Sequence, residues 1–217
     1  MMNMSFSSWT FWVLFAALFM VHAGLQKWKN RATSTLHVRA RKLLLLSFSL
    51  GFYLLAAGKL LAVMATSIVL NHLLVHALHR NHGTRRSIVF FVALALNIGA
   101  LAAFKYAFFI ADLLPTLAAG TWGGWRLDQW MLPLGISFYT FQAISYVIDV
   151  HRGTLDKPAS LLSFATYLTF FPQLVAGPIV RAKAFLPQLE RRKGELTSSA
   201  VRSNVLLLVQ GMLKKMV

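Results

Sequence analysis

The chain has 217 residues, of which 57% are hydrophobic and only 13% are charged, and its formal net charge is +16. So small a charged fraction, about half the usual share, is too low to cover the surface of a soluble domain of this length. The basic residues lie in short clusters between apolar runs, which is typical of cytoplasmic loops facing anionic lipid, so no nucleic-acid partner is expected. Because the chain has no cysteine, disulfides and cysteine-based metal sites or nucleophiles are excluded.

The chain begins with an apolar run over residues 6–25 that is long enough to cross a bilayer. Positive charge follows this run instead of preceding it, which favours a span with its N-terminus outside over a cleaved signal peptide. Residues 26–42 are basic without any acid and are predicted to lie inside as a loop. The next basic loop, around Arg80 and Arg85, is also predicted inside, so a hairpin that turns near Gly58 should lie between the two.

The second half of the chain alternates between apolar runs and charged loops. Loop 112–130 has a net charge of −1 and three tryptophans, which predicts an outer interface. Loops on both sides of 160–176 are basic, so segment 160–180 is predicted to enter and return, broken at Pro172 and Pro178. We therefore predict an all-α multispanning membrane protein, a single transmembrane domain over 1–217 with broken or re-entrant helices. Its expected segments are spans at 6–25, 43–57, 60–79, 88–111 and 131–150, re-entrant 160–180, and a last helix at 200–217.

Polar and helix-breaking residues at membrane depth are the candidate site. Irregular backbone survives in hydrocarbon only where it is buried or lines a cavity, and polar side chains there are costly. A polar stripe on one helix face could line a path or simply join helices by hydrogen bonds. Arg181 could meet an anionic donor group or lipid headgroups, and Lys105 could line a path or snorkel to the outer headgroups. The candidates for a tunnel or substrate site are Gln142, Ser145, Pro172, Gln173, Gly177, Pro178 and Arg181.

Two further groups of polar residues, a histidine cluster and Asp149, have both a functional and a structural interpretation. His72, His76 and His79 share a helical face and resemble one histidine box of membrane di-iron enzymes, which gives a metal-dependent oxidase or desaturase as an alternative. Such enzymes need several boxes, so a cationic helix end is favoured and no metal site is predicted. Asp149 lies beside His151 and Arg152 at a helix end, where a local ion pair is favoured over a role as a general base. A non-catalytic membrane scaffold is the third alternative.

Several motifs resemble the membrane-bound O-acyltransferase family. The specific ones are PLGISFYTFQAISYVIDVHRG at 133–153 and FFPQLVAGPIVR at 170–181, which are most similar to the bacterial polysaccharide branch. Weaker resemblances are FKYAFF at 104–109, the stretch 49–74 and GMLKKMV at 211–217. The family is about twice as long, and its active-site histidine lies in the second half. The resemblance therefore covers an N-terminal portion and implies no catalytic residue in this chain.

What the resemblance implies is a partial family fold, with slanted and re-entrant helices around a tunnel. It implies passage of an acyl group, expected to be acetyl, across the bacterial inner membrane for O-acetylation of an exopolysaccharide such as alginate. The expected partners are membrane lipids, periplasmic polysaccharide acetylation proteins and a cytoplasmic acyl donor, acetyl-CoA or another acetyl carrier. No bound cofactor is expected, and the chain by itself should be inactive.

Overall fold

The computed structural model describes residues 13, 15–21, 34–113, 133–176, 179–190, 202–207, 210–211 and 214. Over these residues the chain is helical, with no strand. The predicted all-α fold is thus confirmed. The helices are α1 (Ser34–Ala57), α2 (Leu61–Arg80), α3 (Gly83–Leu113), α4 (Ile136–His151), α5 (Leu161–Thr169), α6 (Phe171–Ala176) and α7 (Ala182–Glu190).

Two helical stretches, Val38–Arg80 and Gly83–Tyr106, are long and apolar enough to cross a membrane. In the most apolar 18 residues of each stretch, only 17% and 11% of the residues are buried within the protein. Large apolar side chains such as Leu55, Leu73 and Phe91 are therefore exposed, at 58%, 61% and 66%. Since water would make such a surface unfavourable, lipid is the medium that fits it, and the protein is an all-α membrane protein.

Helix α1 begins nine residues before the span predicted at 43–57. Its 24 residues give a length of roughly 36 Å at 1.5 Å per residue, which exceeds the hydrocarbon thickness of about 30 Å. The expectation of a loop over 26–42 is wrong from Ser34 onward, because Arg39, Arg41 and Lys42 lie on the first turns of this helix. The assignment of spans to sides of a membrane stays a prediction.

The junction between α1 and α2 is a single 3-10 turn, Gly58–Leu60. Gly58 has φ 55°, in the left-handed region that favours glycine, and it ends the helix at the residue expected for the turn. Beyond it the helices have different partners: α1 packs mainly on α5, whereas α2 packs on α3 and α4.

The main core lies where α2, α4 and α5 meet, around the fully buried side chains of Met64, Tyr146 and Phe164. The ring centroids of Tyr146 and Phe164 are 4.8 Å apart. A second, smaller cluster forms on α1 around Phe171, whose ring centroid lies 5.4 Å from that of Phe52. The core thus gathers α4, α5 and α6 against the inner faces of the membrane-length helices.

Gly58→Ala should destabilise the fold by about 1–2 kcal/mol, because an alanine pays a steric penalty in the left-handed region. Gly51→Ala is the matched control: this glycine is in the interior of α1, and a Cβ there meets nothing within 4 Å. The control should stabilise the helix by up to about 1 kcal/mol. SDS-induced unfolding in mixed micelles would measure both, and equal effects would contradict the role of Gly58.

A folded-back segment and its candidate site

Residues 161–190, here called the folded-back segment, run beside α1 and return to the level at which they began. At the start of the segment, Ser163 Oγ lies 2.7 Å from Lys42 Nζ, and at its end Glu190 Oε1 lies 3.4 Å from the same nitrogen. Midway, the N–H of Phe171 donates to Ser49 Oγ at 3.3 Å. Ser49 is seven residues beyond Lys42, or about 10 Å along the helix. The two ends therefore meet at Lys42, while Phe171 between them contacts α1 about two turns further along the helix. That this segment enters a membrane and returns stays a prediction.

Local sequence explains where this segment breaks. Ser160 caps α5 by accepting the N–H of Ser163 at 3.3 Å. Phe170 then leaves helical geometry with φ −54° and ψ 104°. Pro172 follows in the first turn of α6, where its missing N–H needs no partner. Residues 161–176 thus form two short helices joined at Phe170 instead of one continuous helix.

The break places two predicted site residues in direct contact. Gln142, in the middle of α4 and 2% exposed, donates from Nε2 to Gln173 Oε1 of α6 at 2.8 Å. Nearby, Leu174 packs over Gly135, where a Cβ would lie 3.3 Å from the Leu174 carbonyl oxygen. Gly135 has φ 68° and precedes α4 directly, so only glycine suits this close approach. A helix start and a helix break therefore meet around a neutral amide pair, the Gln142–Gln173 pair.

The other predicted site residues are distributed around this pair. Ser145 is half-buried on α4, and Pro172 adjoins Gln173 in α6. Arg181 is exposed immediately before α7, and its carbonyl accepts the N–H groups of Ala184 and Phe185. Gly177 and Pro178 lie outside the described residues. The functional role of this set stays a prediction.

A buried cation holds the folded-back segment to α1. Lys42 is 8% exposed and joins Ser163 to Glu190, while Ser163 Oγ also donates to Glu190 Oε1 at 3.2 Å. Arg41 donates to the carbonyls of Gln188 and Leu189 at the end of α7, where the helix dipole favours a cation. Sequence reasoning missed this cluster because it placed Lys42 in a loop. The available signal was Glu190, one of only six acidic residues in the chain.

A second amide pair joins α2 to α3. Asn71 Nδ2 donates to Asn97 Oδ1 at 3.1 Å, and Asn97 Nδ2 donates to Asn71 Oδ1 at 2.7 Å. Both side chains are buried, at 1% and 6% exposure. A single asparagine within each apolar run was the signal that could have predicted this pair, since amides in hydrocarbon find partners on neighbouring helices.

The histidine cluster does not form a metal site within the described part of the chain. The rings of His72 and His76 are 4.1 Å apart, but His76 Nδ1 lies 2.9 Å from the carbonyl oxygen of His72 in its own helix. His79 is exposed. No group of three or more His, Cys, Asp or Glu side chains suited to a metal occurs among the described residues. The oxidase alternative therefore receives no support from them.

The local ion pair expected for Asp149 does not form among the described residues, whose one salt bridge joins Lys42 to Glu190. Asp149 Oδ2 is buried with no hydrogen-bond partner among these residues. Its expected partners lie elsewhere: Arg152 is exposed, and the ring of His151 stacks on Phe90 at 4.0 Å. The carbonyl of His151 accepts instead from Arg86 at 2.8 Å.

These features define a helical membrane protein in which broken helices enclose buried, hydrogen-bonded polar side chains. Its relatives agree with that class. The chain is 36% identical over 160 residues to the protein named "Probable alginate O-acetylase AlgI" of Pseudomonas aeruginosa, covering 71% of this chain and 30% of that protein. It is 33% identical over 183 residues to the protein of the same name from Azotobacter vinelandii, covering 82% and 36%. Peptidoglycan O-acetyltransferase of Helicobacter pylori is 27% identical over 202 residues, covering 81% and 38%.

Over the aligned region, the curated homologues of this chain are proteins of the membrane-bound O-acyltransferase type. It spans about a third of the length of the curated relatives that it matches (30% and 36% for the first and second above). No protein-family model matches the chain. No solved structure gives a significant match.

Lys42→Met should cost about 1–2 kcal/mol of folding stability, because it removes charge-assisted hydrogen bonds to Ser163 and Glu190. Glu190→Gln should cost less than about 1 kcal/mol, because the Glu190 side chain is 54% exposed and partly solvated. Unfolding of both single variants and the double variant would give the coupling energy. Lys157→Met, at an exposed loop lysine, is the control and should change stability by less than about 0.5 kcal/mol. A loss of stability in Lys42→Met no larger than in this control would contradict the role of Lys42 in holding the folded-back segment to α1.

Asp156→Cys and Lys183→Cys should react with a membrane-impermeant thiol reagent from the same, cytoplasmic side. Both positions are exposed and lie on either side of segment 160–180, which is predicted to enter the membrane and return. The native chain has no competing cysteine. Labelling in intact cells and in inverted vesicles would compare the two sides. Reaction from opposite sides would mean that the segment crosses the membrane.

Proposed function

We propose that this chain is the N-terminal part of an O-acyltransferase that passes an acetyl group across the bacterial inner membrane for O-acetylation of an exopolysaccharide such as alginate. The observation that carries the proposal is the similarity to the alginate and peptidoglycan O-acetyl-transferring relatives, which extends over 71–82% of this chain. In the proposed orientation the protein is multi-pass, with its N-terminus outside and its basic loops on the cytoplasmic side.

In this proposal the Gln142–Gln173 pair forms part of the wall of the acyl path. The bond at 2.8 Å uses one N–H of Gln142 and one lone pair of Gln173. Amides have further donors and acceptors, so such a pair can orient an acyl carbonyl without placing a charge in lipid. Ser145 continues the same helix face, and Pro172 shapes the backbone beside Gln173.

The donor is acetyl-CoA or another acetyl carrier, which binds as a substrate from the cytoplasmic side. Arg181, exposed at the return of the folded-back segment, offers a guanidinium for an anionic group of that donor. The catalytic histidine belongs to the part of the family that this chain does not align with, and no residue of this chain is assigned the catalytic role. Periplasmic polysaccharide acetylation proteins complete the transfer to the polymer.

The purified 217-residue chain should transfer no acetyl group from labelled acetyl-CoA to a mannuronate polymer above the rate without protein. The reason is that it corresponds to about a third of its relatives and carries no assigned catalytic histidine. A full-length alginate-type relative reconstituted with its partner proteins is the positive control. Transfer by the chain alone would contradict its assignment as a partial enzyme.

A chimera in which residues 1–217 replace the aligned part of the Pseudomonas aeruginosa relative should support alginate O-acetylation in cells that lack the native protein. In that chimera Gln173→Leu should lower acetylation about ten-fold or more, since the amide beside the acyl path is lost and Gln142 is left unpaired. Gln188→Leu is the matched control, because this side chain is exposed and its amide donates to the Ala184 carbonyl within its own helix. A chimera that is present in the membrane but inactive would contradict the proposed function. Equal activity of both variants would contradict the role of the pair.

A further inference from the structure

A crevice of about 340 Å³ lies between α2, α3 and the start of α4. Neither Gln142 nor Gln173 lines it, so it is separate from the Gln142–Gln173 pair. Apolar stripes on α2 and α3 form its walls, and buried residues of α4 form its floor. Its lining includes Thr66, Leu70, Leu96, Ala100, Ile136 and Tyr139.

The Asn71–Asn97 pair closes one end of this crevice. Asn71 also donates to the carbonyl of Ser67 at 2.9 Å, and Asn97 donates to that of Ala93 at 2.8 Å. The N–H donors of both amides are therefore bonded within the protein. At this end, as along its other walls, the crevice presents mainly hydrocarbon surface to a ligand.

The open side of the crevice faces lipid. Leu70 and Leu96 stand at its rim, 38% and 43% exposed, on the two helices suited to crossing a membrane. Ser67, Tyr139 and Thr140 add hydroxyl groups to the lining, but most of it is hydrocarbon, which an acyl chain of the surrounding bilayer contacts along its length. The occupant that fits is thus a hydrocarbon chain.

The positions of the helix ends indicate from which leaflet a lipid acyl chain enters the crevice. The crevice extends from the amide pair toward the start of α2, the end of α3 and the start of α4. All three ends lie opposite the basic loop that contains Arg80 and Arg85, which is predicted to be cytoplasmic. The open end therefore lies in the outer half of the membrane.

Two exposed lysines stand at this outer end. Lys59 lies in the turn just before α2, and Lys105 directly follows Phe104 of the crevice wall. Lys105 Nζ is 5.8 Å from the ring centroid of Tyr106. Within the described ranges, neither lysine has a carboxylate within 4.0 Å. A pair of cations above an apolar crevice complements the phosphate and the acyl chain of an anionic lipid.

We infer that this crevice is a binding site for one anionic phospholipid of the outer leaflet, with an acyl chain between α2 and α3 and its phosphate at Lys59 and Lys105. The inference is independent of acyl transfer, and it holds whatever reaction the full protein performs.

Photo-crosslinking would test the site in the 217-residue chain, in phosphatidylcholine nanodiscs doped with phosphatidylglycerol that carries a diazirine on one acyl chain. We expect crosslinked peptides from 62–71, 96–104 and 136–140, and about five-fold less crosslinking when the probe is phosphatidylcholine, as one lysine contact would give. Crosslinks spread evenly over exposed helix faces, or equal yields with both headgroups, would overturn the inference. So would a lack of crosslinks at the lining peptides, which would mean that protein fills the crevice.

Variants separate the chain contact from the headgroup contact. Ala100→Phe fills the rim and should reduce crosslinking at these peptides at least five-fold, whereas Ala95→Phe, exposed on another face of α3 and absent from the lining, should not change it. Lys105→Gln should reduce the preference for phosphatidylglycerol, with Lys59 still present, whereas Lys157→Gln, in the loop after α4, should preserve it. Helix content from circular dichroism verifies that each variant is folded. Unchanged crosslinking in folded Ala100→Phe, or an unchanged headgroup preference in folded Lys105→Gln, would overturn the inference.

Discussion

Within hydrocarbon a backbone group released by a helix break has no water to bond, and this constraint organises the fold. The breaks of this chain are matched by side chains that supply the missing partners. The amide of Phe171 donates to Ser49 Oγ, and the carbonyl of Val180 accepts from the hydroxyl of Tyr167 at 2.7 Å. Arg86 donates to the last carbonyls of α4. Irregular backbone is tolerated here because neighbouring helices carry the right donor or acceptor at the right depth.

The same constraint sorts polar side chains by charge. Two charged side chains of α1 bond to the end of α7: Lys42 to Glu190, and Arg41 to the carbonyls of Gln188 and Leu189. Deeper positions use neutral amides in pairs, Gln142 with Gln173 and Asn71 with Asn97. A charge costs far more than an amide to bury, which favours paired amides at these positions.

The two amide pairs belong to different surroundings. The glutamines lie between α4 and the folded-back segment, next to backbone that is broken and tightly packed at Gly135. The asparagines lie between two regular helices, where they close a crevice lined by exposed leucines. The protein therefore combines a polar contact between α4 and α6 with a largely apolar crevice between α2 and α3, and neither glutamine lines that crevice.

The sequence by itself determined the helical membrane class, the break at Gly58, and the candidates Gln142 and Gln173, because hydropathy, charge and helix breakers act locally. Only the tertiary structure decided that these two glutamines bond, that Lys42 is buried, and that Asn71 meets Asn97. These contacts join residues 26 to 148 positions apart. Asp149 is an example of a local pattern that misleads. Its sequence neighbours suggested an ion pair, which the described residues do not form. Partner choice depends on which helix faces meet, and no local pattern encodes that.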